Sequence, residues 1–266
     1  MTSDQLTHFA ASLRQRFPDE TDSFDSFEAE VAAWDKMFKQ ARGMAQYEER
    51  RLRETGERTA RRQLGHLAAA TIVRVVELAD GLIVLMNAER THASFAVARA
   101  LIETASVPGY MVKNVMPHLA KGRGERVDQV LRRLSVGLDP GLDIEGWPTD
   151  TQPIPVSSLI RALSSEIDRR IPQKDGDPSP GTIMRQLYSL VSDHTHPNHS
   201  AVHLSARIDE NGMDWERFAG WTNSTLHDVA GPAVIAMSIG RTALREVLTA
   251  ANSYRVVIDR KPYSPT

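Results

Sequence analysis

Apolar residues recur at helical spacing along most of this chain. Over about 24–56, Phe27, Val31, Trp34, Met37 and Phe38 fall on one stripe, the three-to-four-residue period of an amphipathic helix. Its later half, around 47–62, mixes charges of both signs and reads as a solvated face with i,i+4 pairs such as Glu49 with Arg53. A second helix is expected over about 57–88. Apolar residues nearly surround its axis, among them Leu67, Ile72, Val75, Val76, Leu82 and Met86, which predicts a place at the centre of a bundle. A third spans about 92–116, with Thr91 as N-cap and a kink or break at Pro108-Gly109. Shorter helices fit 125–134, 156–171 and 181–193, and a last long one 224–252, bent near Gly231-Pro232.

Two stretches break this rhythm. Residues 137–156 carry Gly137, Asp139, Pro140, Gly141, Gly146, Pro148, Pro153 and Pro155 around Trp147, a long loop of the kind that is functional or mobile. Near 201–218, Val202, Leu204, Ala206 and Ile208 alternate with polar residues, and Asn211-Gly212 precedes Met213, Trp215 and Arg217. Strict alternation around an Asn-Gly turn predicts a small β-hairpin. No repeat or composition shift divides the chain. The expected fold is a single all-α domain over 1–266, a multi-helix bundle with a late β-hairpin.

Composition narrows the chemistry. The 266 residues carry 32 Lys+Arg against 34 Asp+Glu, a net charge of -2, and no Cys. Balanced charge removes the case for bulk nucleic-acid binding through an electropositive surface. The missing Cys excludes disulfide scaffolds, thiolate metal sites and Cys nucleophiles. The polar start Met1-Thr2-Ser3-Asp4-Gln5 shows no signal peptide, and Arg74, Glu77 and Asp80 interrupt the most apolar stretch, so neither secretion nor a membrane span is expected. A cytoplasmic location is the default expectation. Gly-x-Gly-x-x-Gly, Gly-x-Ser-x-Gly and phosphate-loop motifs are all missing, and no cofactor is expected.

Two polar stripes stand out. At about 100° per residue, His92, Glu103, Ser106 and Tyr110 fall within roughly 40° of Arg99 on the third helix. Arg99 and Glu103, spaced i,i+4, can pair directly. This stripe holds His, Ser and Tyr, whereas a solvent face is usually filled with Glu and Lys. It reads as an exposed face, a buried structural ion pair, or a site wall. On the helix over 181–193, Met184, Leu187, Leu190 and Val191 form the core stripe. Arg185, Ser189, Ser192 and His196 lie opposite, with Tyr188 beside them. Pro197 biases His196 out of helical geometry. That places His196 just past the helix C-terminus, where the helix dipole favours a protonated imidazole.

Arg99-Ala-Leu-Ile-Glu103, followed about 90 residues later by Tyr188-x-x-x-Ser192-x-x-x-His196-Pro197, resembles a group of uncharacterised bacterial all-α proteins. That group is distantly similar to the HEPN class of helical proteins. The resemblance covers roughly 65–200. It implies a helical fold and, through the HEPN class, RNase activity or nucleotide binding as an accessory module. The HEPN ribonuclease motif is Arg, four to six residues, then His. Here only Arg61 to His66 matches it literally, and a chain this rich in Arg makes one such match uninformative. Metal-free RNA cleavage would need Arg99 to supply the cation from another helix, with His196 as acid/base.

His194, His196, His199 and His203 lie within ten residues, with Asp193 beside them. Histidine is the commonest metal ligand, so this set is a weaker alternative metal site. The i,i+4 spacing of a helical His-Glu-x-x-His motif is missing. The combined expectation is that Arg99 and Glu103 face Tyr188, Ser192 and His196 across a polar pocket covered by the 137–156 loop or the hairpin. Arg99 would hold an anion, Glu103 would orient Arg99 or His196, and His196 would transfer protons. Three functions follow from this: HEPN-like chemistry or binding on RNA or a nucleotide, a non-enzymatic helical interaction or homo-oligomerisation module, and a metal-dependent hydrolase using the histidine cluster.

Overall fold

The structure is a computed structural model that describes residues 21–88, 90–136, 152–195, 207–209, 212–214 and 223–258. Helices dominate: α1 (Thr21–Thr55), α2 (Ala60–Asn87), α3 (Thr91–Ala105), α4 (Val107–Asn114), α5 (Met116–Ala120), α6 (Gly124–Val136), α7 (Val156–Arg170), α8 (Pro180–Asp193) and α9 (Asn223–Ser253). The protein is an all-α helical bundle. Two three-residue strands, β1 (Arg207–Asp209) and β2 (Gly212–Asp214), pair antiparallel with Ile208 opposite Met213. The rest of 201–218, where the sequence predicts a hairpin, lies outside the described residues. So does most of the 137–156 loop. Among the described residues no helix is long and apolar enough to cross a membrane.

The predicted stripe of α1 is the one that is buried. Phe27, Val31, Trp34 and Met37 are all in the core. The central helix is α9, not α2. It touches α1, α2, α3, α4, α5, α7 and α8, whereas α2 leaves Val73 and Val84 exposed. An apolar circumference therefore overstated the enclosure of α2. Small residues make α9 the centre, because Ala233, Ala236, Ala243 and Gly240 let neighbours approach closely. A Cβ on Gly240 would lie 2.2 Å from the Ala105 carbonyl oxygen and 3.3 Å from the Trp34 ring. Trp34 donates its buried Nε1–H to the Met237 carbonyl at 3.0 Å. An Arg241–Glu30 ion pair at 2.7 Å ties the same two helices at their edge.

Other local expectations shift for identifiable reasons. α2 starts after Thr59, whose side chain accepts the Arg62 N–H, so it begins later than the expected 57. Glu49 pairs across helices with Arg62 (2.6 Å) and His66 (2.9 Å), where an i,i+4 pair with Arg53 was expected. Glu48 is buried and accepts the Thr59 hydroxyl at 2.7 Å, so the charged half of α1 is not simply a solvated face. Thr91 is the first residue of α3, not its cap, and its hydroxyl is buried. The third predicted helix, about 92–116, is broken at Ser106 into α3 and α4, and α5 follows at Val115. Pro108 and Pro117 each sit in the first turn of the next segment, where a missing N–H is harmless. Ser106, expected in the polar stripe, is not part of an exposed face. It is fully buried, and its hydroxyl donates to the Ile102 carbonyl at 2.7 Å.

Candidate polar site at the α3–α8 junction

The placement of α8 begins at its N-terminus. Ser179 caps it by accepting the Thr182 N–H, and Asp168 of α7 accepts the Gly181 N–H at 2.7 Å. Glycine is required there, because a Cβ would lie 2.3 Å from the Ser164 carbonyl oxygen. Met184 and Val191 are buried, Tyr188 is half-buried against the core, and Arg185 and Ser189 face solvent. The polar stripe expected on this helix is therefore split: its Arg185 and Ser189 end is surface, while Tyr188 turns toward α3.

Tyr188 and α3 meet at one carboxylate oxygen. Glu103 Oε1 accepts the Arg99 Nε–H at 2.9 Å and the Tyr188 hydroxyl at 2.7 Å. Arg99 Nη1 donates to Thr195 Oγ1 at 3.0 Å, and that hydroxyl donates to the Ser192 carbonyl at 2.7 Å. Arg99 thus reaches the C-terminal end of α8, where the helix dipole favours a cation. The Glu103 hydrogen bond raises the Arg99 pKa further, against desolvation. The Tyr188 phenol is pushed above its ordinary 10.0, first by burial and then by its bond to Glu103. Side-chain exposures of 30% for Arg99 and 24% for Glu103 leave the pair within reach of solvent.

Of the predicted site residues, Arg99, Glu103 and Tyr188 come together directly. Ser192 takes part through its backbone carbonyl, and His196 lies outside the described residues. Sequence reasoning missed Thr195, which links Arg99 to the end of α8. A hydroxyl two residues beyond a helix end was the available signal. The histidine nearest this point behaves differently from the protonated imidazole expected at 196. His194 caps α8 and stacks on Phe95 with ring centroids 4.4 Å apart. Burial pushes its pKa below the ordinary 6.5, opposed by Asp228 and Asp193. Its Nδ1 is buried without a hydrogen-bond partner. His199 and His203 lie outside the described residues. Among the described residues no group of three or more His, Asp or Glu side chains is arranged to hold a metal ion.

Glu103 also belongs to a second feature. It lines an open groove of about 490 Å³ between α2 and the ends of α6 and α7, a volume in the range of small-molecule sites. α2 contributes His66, Leu67, Ala70, Thr71 and Arg74, which the helical repeat places on one face. Val107, Leu134, Ser135, Val156 and Leu159 face them, and Thr104 lies beside Glu103. Arg74 donates its Nε–H to Thr104 Oγ1 at 3.2 Å. In the sequence Arg74 is a charge that interrupts an apolar run; its place in a groove depends on helices far away in the chain. The chain matches no family model, no curated protein and no solved structure.

Proposed function

We propose that this protein is a helical binding module that holds a small organic ligand in the α2–α6–α7 groove, with Glu103, fixed by Arg99 and Tyr188, in its polar wall. The observation that carries this reading is the double membership of Glu103. Its Oε1 takes both Arg99 and Tyr188 on one side, and the residue lines the groove on the other. A general base needs an available lone pair and a pKa near the working pH. Here the Glu103 oxygen within the cluster is already committed to two donors, and the Tyr188 phenol, with its raised pKa, stays protonated at neutral pH. Such a network suits positioning better than proton transfer.

The test is a thermal-shift screen of small organic anions and neutral compounds against the full chain and an Ala70→Trp variant that fills the groove. A ligand at a hundred times its Kd stabilises by about 2.7 kcal/mol, so binding is readily seen. A compound that stabilises the wild type but not Ala70→Trp supports the groove. Equal responses from both proteins refute it.

A second reading, HEPN-like binding or cleavage of RNA or a nucleotide, is favoured by the solvent access of Arg99 at the end of α8. It predicts cleavage of a synthetic RNA in EDTA that His196→Ala removes without unfolding the protein. Cleavage that survives that substitution rules it out.

A further inference from the structure

The groove has a chemical polarity that selects among ligands. Its walls are mainly aliphatic: Leu67 and Ala70 on α2 face Leu134, Val156 and Leu159. Arg74 and Glu103 meet at Thr104, which accepts the Arg74 Nε–H at 3.2 Å and neighbours Glu103 in the chain. The Glu103 charge is taken up within the network by Arg99. Arg74 bonds only Thr104 among the described residues, and no carboxylate pairs with it there. The uncompensated charge at this end of the groove is therefore positive. His66 and Arg74 are eight residues apart on α2, which spans about 12 Å at the helical rise.

We infer that the groove takes an aliphatic monoanion, a medium-length acyl chain carrying one carboxylate, with its head group on Arg74 and its tail along Leu67, Leu134, Val156 and Leu159. A guanidinium fork matches a carboxylate in two parallel hydrogen bonds, and the aliphatic walls suit an apolar tail. A nucleobase would instead call for a stacking face and hydrogen-bond partners along its body. Among the described residues the lining along that length is aliphatic apart from Thr71 and Ser135, whose hydroxyls donate to the Leu67 and Leu131 carbonyls of their own helices, and the His66 ring at the far end is bonded to Glu49. The inference rests on the reading of the groove as a ligand site.

The experiment is calorimetric titration of the full chain with decanoate, with decanol as the uncharged analogue and adenosine monophosphate as the nucleotide arm. Decanoate is expected to bind at one site, and decanol more weakly. Arg74→Gln should weaken decanoate at least tenfold, equivalent to about 1.4 kcal/mol. Arg74→Lys, which keeps the charge but loses the fork, should weaken it less. Ala70→Trp should abolish binding. Both positions are exposed on α2, so these variants are expected to fold, and circular dichroism checks it. Decanoate binding that is unchanged by Arg74→Gln, or that persists in Ala70→Trp, overturns the inference. Arg74-dependent binding of adenosine monophosphate without decanoate binding overturns the acyl class while leaving the groove as a ligand site. Binding of neither probe also overturns the acyl class, and the thermal-shift screen then decides the groove separately.

Discussion

Replacing Tyr188 with Phe removes one hydroxyl and keeps the ring, so it isolates the bond that joins α8 to α3. That hydroxyl donates to Glu103 Oε1 at 2.7 Å, a short bond to an ionised acceptor. Hydrogen bonds to charged groups contribute about 1.5–3 kcal/mol. Two features of the structure pull the expected loss toward the lower end. Glu103 is 24% exposed, so water partly replaces the lost donor. It also keeps Arg99 Nε at 2.9 Å, so it is not left buried and unpaired. The expected loss is about 1–2 kcal/mol, a Tm lower by about 2–8 °C for a chain of this size. Urea denaturation followed by circular dichroism measures it. A double-mutant cycle with Glu103→Ala, which removes the acceptor, isolates the pair and should show about 1 kcal/mol of coupling. The pH profile gives a second readout. The folded-state phenol pKa lies above its ordinary 10.0. Its contribution is therefore complete below pH 10.0 and is lost as pH rises through the folded value. Tyr188→Phe should remove that alkaline decline. A loss below about 0.3 kcal/mol with no coupling to Glu103 would refute the claim that this network holds α8 in place.

Three further outcomes are expected. Gly240→Ala forces the Ala105 carbonyl and the Trp34 ring away from α9 and should cost about 1–3 kcal/mol, read as a lower denaturation midpoint; a neutral result would mean the α3–α9 contact is looser than 2.2 Å implies. Asp168→Ala removes the acceptor for the Gly181 N–H and should cost about 1 kcal/mol, with faster amide exchange over the first turn of α8; unchanged exchange there would count against Asp168 as the anchor. Burial holds the His194 pKa below its ordinary 6.5. Its contribution is present above pH 6.5 and is lost as pH falls through the folded value. His194→Gln should flatten that acid-side slope, and an unaltered slope would place its cause in other groups.

The apolar stripe of α1 and the i,i+4 spacing of Arg99 and Glu103 were legible in the sequence because both are local, set by 3.6 residues per turn. So were the extent of α8 and its core residues Met184 and Val191, where periodicity and burial agree. A wheel calculation also brought Ser106 and Tyr110 into the Arg99 stripe. Ser106 keeps helical geometry at the end of α3 but is buried, because a wheel gives a direction and not what packs there.

Other features depended on contacts between distant parts of the chain. Periodicity reports how much of a helix is apolar but not which neighbours cover it, so α2 looked central while α9, with its small residues, occupies the middle. Arg74 looked like an obstacle in an apolar run until α3, α6 and α7 assembled a groove around it. Tyr188 reaches Glu103 across 85 positions of sequence, and no local pattern fixes that distance. The sequence by itself determined the helices, their apolar faces and the chemical types available. Only the tertiary structure decided which polar groups meet, because that depends on how helices distant in the chain pack, as Tyr188 and Glu103 show.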